Sequence, residues 1–149
     1  GGWWGDRLVE HAARLGITYT LVDVTKPGAF AEAAKTPNTT LLIAETPANP
    51  RVDLVDLDEI ASIMGPVKLV DATFATPLGQ HTLRDGIDMV MHSATKAIAG
   101  HNDALLGVIA AHDLSLRVLR RSHAVAGQIP MLAVMVFYTC AGLLLLFSP

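Results

Sequence analysis

Lys96 ends the run Met91-His92-Ser93-Ala94-Thr95-Lys96, directly after a mostly apolar stretch at 87–91. An amine on a strand end suits Schiff-base chemistry, in which it condenses with an aldehyde. Ser93 and Thr95 stand at i and i+2, so in an extended segment they share a side. Two hydroxyls on one side, with nearby backbone N–H groups, can hold a phosphate. Either hydroxyl alone also reads as ordinary loop polarity. Pyridoxal phosphate (PLP) carries both an aldehyde and a phosphate, so it is the cofactor these residue types suit.

Asp71 follows the apolar run Leu69-Val70. A carboxylate at the end of a buried strand is costly unless it is paired. It could pair with a protonated pyridine nitrogen and keep that ring electron-poor. It could equally cap a helix or a turn. Asn49 lies in Glu45-Thr46-Pro47-Ala48-Asn49-Pro50, where two prolines stiffen the loop and could aim the amide at a ligand; a plain β-turn is the other reading. His92, His101 and Asp103 are a rival set as metal ligands, but their spacing fits no tight zinc pattern. No metal is expected. Neither a Gly-x-Ser-x-Gly elbow nor a Walker-type loop occurs.

These groups need elements to position them. Apolar positions at 8, 9, 12, 13 and 15 predict a helix over 6–15, capped by Gly16. Residues 18–24 are rich in β-formers and predict a strand. A short helix is expected at 28–35 and a turn at 37–39. Strands are expected at 41–44, 67–70, 87–91 and 105–111, and helices at 53–64, 78–84 and 114–121. Alternating strands and helices predict an α/β domain in three α/β/α layers, with a mainly parallel sheet. In such sheets ligands bind beyond the carboxyl ends of the strands. The Glu45–Asn49 loop, Asp71 and Lys96 all fall at such ends.

The chain has 149 residues and a net charge of −3, with few aromatic residues. That size allows one domain with a core, and the weak charge excludes a nucleic-acid partner. Cys140 is the single cysteine. An internal disulfide framework is therefore excluded, and a reducing, cytoplasmic location is expected. The seventeen residues 131–147 carry no charge. This is the short limit for a membrane span, and no basic cluster flanks its end. A buried helix, or a tail outside the fold, is expected instead of a membrane tether.

Four runs occur in order: Glu45-Thr46-Pro47-Ala48-Asn49-Pro50, Asp71-Ala72-Thr73-Phe74, His92-Ser93-Ala94-Thr95-Lys96 and Gly100-His101-Asn102-Asp103. Together they resemble the PLP-dependent enzymes of cysteine and methionine metabolism, which include cystathionine γ-synthase, cystathionine γ-lyase, cystathionine β-lyase and methionine γ-lyase. The 25 positions from Asp71 to Lys96 match the family spacing. The resemblance covers residues 1–130 as part of the large, PLP-binding domain of a fold-type I enzyme. It implies that Lys96 forms the imine link to PLP and then moves protons between substrate carbons. Asp71 would pair with the pyridine nitrogen, and Ser93 and Thr95 would bind the phosphate. Thr73 would lie against the ring, and Asn49 near the ring hydroxyl and the substrate carboxylate. The implied activity is elimination or replacement at the γ-carbon of sulfur amino acids or homoserine esters, most like cystathionine γ-synthase or γ-lyase. The implied assembly is a homo-oligomer, a dimer or tetramer with catalytic sites at a dimer interface.

The chain also departs from the family pattern. The segment with the ring-stacking tyrosine falls near Gly1-Gly2-Trp3-Trp4-Gly5, and that tyrosine is expected to be cut off rather than replaced. The upstream glycine-rich phosphate loop and the C-terminal domain have no counterpart. Residues 131–149 leave the pattern, as a reading-frame slip or truncated gene would produce. The alternatives are a non-catalytic remnant of such an enzyme, or a methionine γ-lyase or cystathionine β-lyase.

Overall fold

The computed structural model describes residues 3–112, 134–137 and 144–147. Among these residues six strands form one sheet in chain order: β1 (Leu41–Glu45), β2 (Val67–Asp71), β3 (Met89–Ser93), β4 (Gly107–Ala111), β5 (Val134–Phe137) and β6 (Leu144–Phe147). β1, β2 and β3 run parallel. β4 returns antiparallel to β3, β5 is parallel to β4, and β6 is antiparallel to β5. The fold is thus α/β with a mainly parallel, mixed sheet, as expected. The short apolar runs form its first strands because strands covered on both faces need not alternate with polar residues.

Among the described residues four helices accompany the sheet: α1 (Trp3–Arg14), α2 (Ala29–Ala33), α3 (Leu57–Ser62) and α4 (Thr76–Gly79). Phe30 of α2 and Ile60 of α3 pack with Ala44, Val70, Ile87, Val90 and Ala110 in one buried cluster. Met89 and Ala111 make a smaller cluster on the other face, flanked by Val67, Leu69 and Ile109. The Glu59 carboxylate on α3 accepts hydrogen bonds from the backbone N–H groups of Gly28, Phe30 and Ala31 (3.0–3.2 Å). It thereby caps α2 from a different element.

Several expected elements differ. Residues 18–24 form no strand. Their alternation survives, because Val22 and Val24 pack on the core while Leu21 stands exposed. A strand also needs a hydrogen-bonded neighbour, and none pairs with this segment among the described residues. The helix expected over 53–64 begins only at Leu57, where Asp56 caps it by accepting from the Glu59 N–H at 3.0 Å. Asp53 instead pairs with Arg51 and bridges to Ala48. The helix expected over 78–84 is the shorter α4, and the strand expected from 105 starts at Gly107. The helix expected over 114–121 lies outside the described residues. Within 131–147, the described stretches are strands rather than a helix. No described helix is long and apolar enough to cross a membrane.

Candidate active site

The sheet register places the candidate groups. Glu45 pairs with Asp71 and Asp71 with Met91, so the carboxyl ends of β1, β2 and β3 finish in one row. Two backbone bonds lock that row: Thr46 N–H to Asp71 O and Ala72 N–H to Met91 O, each 3.0 Å. The β1–loop, the β2–loop and the β3–loop therefore leave the sheet side by side.

Asp71, Thr73 and Ser93 form one hydrogen-bonded chain. The half-buried Asp71 accepts at Oδ1 from the Thr73 N–H (2.9 Å) and the Thr73 hydroxyl (2.5 Å). The same hydroxyl accepts the Ser93 N–H at 2.7 Å. Asp71 Oδ2 and Ser93 Oγ have no protein partner among the described residues.

Lys96 follows on a tight turn. Its N–H donates to Ser93 O (3.1 Å) and its carbonyl accepts from Gly100 N–H (2.9 Å). Gly100 has φ +75°, a left-handed conformation that favours glycine. The side chain of Lys96 is exposed, and its amine has no partner among the described residues.

Two candidates sit differently from the sequence expectation. The Thr95 hydroxyl does not stand open: it accepts the Leu106 N–H (2.9 Å) and donates to Leu106 O (3.3 Å). Asn49 is exposed beyond β1, and its N–H donates to the Glu45 carboxylate at 3.2 Å. No hydrogen bond joins it to the other candidates among the described residues. An open cleft lined by Thr46, Val55, Asp56, Asp58, Gln80 and Asp85 contains none of them.

His92 is buried, with 6% exposure, and its Nδ1 has no hydrogen-bond partner. Burial pushes its pKa below the ordinary 6.5, against the opposing pull of the Asp71 charge and the Ala72 backbone. The ring is therefore neutral at pH 7. The bridging role of Thr73 was not legible in sequence, where that residue stood only as a ring contact. Its two partners lie on different strands, and no local pattern records that.

The donor set fits PLP. One free carboxylate oxygen, one free hydroxyl and one unpartnered amine stand at adjoining strand ends, which match a pyridine N–H, a phosphate and an aldehyde. The family model for "Cys/Met metabolism PLP-dependent enzyme" matches residues 6–144. The chain belongs to this family. It is 43% identical over 122 residues to an L-methionine γ-lyase of Brevibacterium sandarakinum, covering 80% of this chain and 30% of that protein. It is 37% identical over 117 residues to the chloroplastic cystathionine γ-synthase 1 of Nicotiana tabacum, covering 76% of this chain and 22% of that protein. The solved structure of CalE6 from Micromonospora echinospora, named as a cystathionine γ-lyase, superposes with a TM-score of 0.73 at 37% identity. That match covers 84% of this chain and 34% of CalE6. The chain thus spans about a third or less of the length of these members of the PLP-dependent family.

Proposed function

We propose that this chain is the cofactor-holding part of a PLP-dependent trans-sulfuration enzyme. It would act on sulfur amino acids or homoserine esters by γ-elimination or γ-replacement, most like cystathionine γ-synthase or γ-lyase. The observation that carries this reading is the Asp71–Thr73–Ser93 chain, with the Lys96 amine on the next turn. When bound, PLP supplies an aldehyde and an electron-poor ring that takes up carbanion charge.

The residues divide the work. Asp71 holds its Oδ1 on Thr73 and offers Oδ2 to the pyridine N–H. Ser93 offers its hydroxyl to the phosphate, and Thr95 can join only by releasing its long bond to Leu106 O. Thr73 holds the Asp71 carboxylate through its N–H and hydroxyl and would lie against the ring. Lys96, with its amine free, accepts and returns protons at the substrate carbons. Asn49 lies on the rim, where its amide can meet the ring hydroxyl or a substrate carboxylate.

A methionine γ-lyase is the second reading, favoured by the 43% identity to the Brevibacterium enzyme; a cystathionine β-lyase uses the same cofactor groups. A homo-oligomer is also proposed. Phe74 and Leu105 on the loops near these strand ends, and Leu78 on α4, stand exposed, and a second subunit would cover them.

Adding PLP to the purified chain tests the reading. An imine absorbance band that disappears in Lys96→Ala is the expected result, and no spectral change in the unaltered chain defeats it. Keto acid release from cystathionine or a homoserine ester then separates a working site from a cofactor-binding remnant.

A further inference from the structure

We propose that Thr95 is a positioning residue for Lys96, acting by closing the neck of the loop that carries it. This rests on the reading of Lys96 as the cofactor-binding amine. The loop 94–106 leaves β3 after Ser93 and returns into β4 at Gly107, and those two residues are register partners. Immediately inside that pair, Thr95 takes up both backbone groups of Leu106. Its N–H and its hydroxyl both donate to Leu106 O (3.2 and 3.3 Å), and its Oγ1 accepts the Leu106 N–H (2.9 Å).

Above this neck the loop is small. Ala99 N–H bonds Ala94 O at 2.8 Å, and Lys96 is held at its own N–H and carbonyl. The side chain of Lys96 makes no bond among the described residues. Its amine sits on a flexible four-carbon stem. Its position is therefore inherited from the backbone frame alone. That frame is closed by the Thr95 N–H together with a threonine hydroxyl that must accept and donate at once, which a hydroxyl can do and an alkyl group cannot.

The competing role for Thr95 is to bind the phosphate. A phosphate-free aldehyde separates the two. Thr95→Val keeps the shape and removes the hydroxyl; Thr95→Ser keeps the hydroxyl. The full chain and both variants would be titrated with pyridoxal and with PLP, reading the imine absorbance. The expected result is that Thr95→Val weakens capture of pyridoxal, which has no phosphate to bind, as well as of PLP, by about tenfold for a lost part-buried hydrogen bond. Thr95→Ser should stay within about twofold of the parent. A loss confined to PLP overturns the inference and makes Thr95 an anion ligand only.

Amide hydrogen exchange gives a readout that needs no cofactor. Exchange at Leu106, Ala99 and Gly100 should speed up in Thr95→Val and not in Thr95→Ser. Unchanged exchange in Thr95→Val overturns the inference. If the unaltered chain captures neither aldehyde, the proposed function fails, and exchange still decides whether Thr95 holds the neck.

Discussion

Thr73 Oγ1 lies 2.5 Å from Asp71 Oδ1 and 2.7 Å from the Ser93 amide nitrogen. One hydroxyl thus ties the carboxylate at the end of β2 to the backbone of β3. Its proton goes to the carboxylate and its lone pair takes the amide, so its orientation is fixed from both sides. Thr73→Val strands the Ser93 N–H and leaves the Asp71 carboxylate held by the Thr73 N–H alone. The expected cost is about 1–3 kcal/mol in urea unfolding and a roughly tenfold weaker PLP titration. Thr73→Ser should recover most of both. An unchanged titration in the valine variant would show that Asp71 is oriented without this bond.

Glu59 supplies all the side-chain capping at the start of α2, through bonds to Gly28, Phe30 and Ala31. A five-residue helix has little stability of its own. Glu59→Ala leaves three N–H groups to find water and should cost about 2 kcal/mol, at the upper end for a lost cap. Calorimetry would register this as a lower melting temperature. Glu59→Gln should lie between, since the amide oxygen still accepts.

Ile60 is 1% exposed at the centre of the main cluster. Ile60→Ala should cost about 2–5 kcal/mol, the range for emptying a packed core site. Neighbouring Ser62 is exposed, and its hydroxyl only bonds back to Glu59 O. Ser62→Ala should change stability by about 0.5 kcal/mol or less. Denaturant midpoints of the two variants check the contrast.

His92 gives stability a pH dependence. Burial lowers its folded-state pKa, so the unfolded chain binds a proton more readily. Stability rises with pH wherever the unfolded state holds more protons. The contribution of His92 is therefore flat above the ordinary 6.5, and the fold loses stability as pH falls below that value. The loss levels off once pH passes beneath the folded-state pKa. His92→Gln should flatten this limb in melting curves taken from pH 7.5 to pH 5. A limb of unchanged slope would assign it to other groups.

The core strands were legible in sequence because they are short, largely apolar runs. Leu41–Glu45 and Val67–Asp71 each end on the acidic residue at which the run stops, while Met89–Ser93 continues through His92. The placement of Asp71 at a strand end followed directly from that, whereas the strand expected over 87–91 runs on to Ser93. The segment 18–24 shows the limit. Its composition and alternation are those of a strand, but a ladder is a property of two segments and only one was visible. The hydrogen bonds within the site were hidden for a similar reason. Thr73 reaches a residue 20 positions away, and Thr95 one 11 positions away. Both distances are set by register, which local propensity does not encode. α3 starts late because Asp56, rather than Asp53, wins the competition to cap, and both are sound caps on residue type alone.

The row Glu45–Asp71–Met91 makes the sheet a ruler with two graduations. Across it, neighbouring strands are about 4.8 Å apart, a spacing fixed by the hydrogen bonds between them. Along it, one residue turns a side chain to the opposite face. A single-residue deletion inside β2 would therefore not shorten the reach of Asp71 by a few ångströms. It would turn the carboxylate through the sheet, toward Phe30 and Ile60, and bring an alanine to the edge in its place. Asn49, Thr73, Thr95 and Lys96 ride on the loops beyond this row, and such a site tolerates a length change only in a stretch of loop clear of these four. It tolerates none in its strands, so insertions and deletions among functional relatives should fall outside 41–45, 67–71 and 89–93.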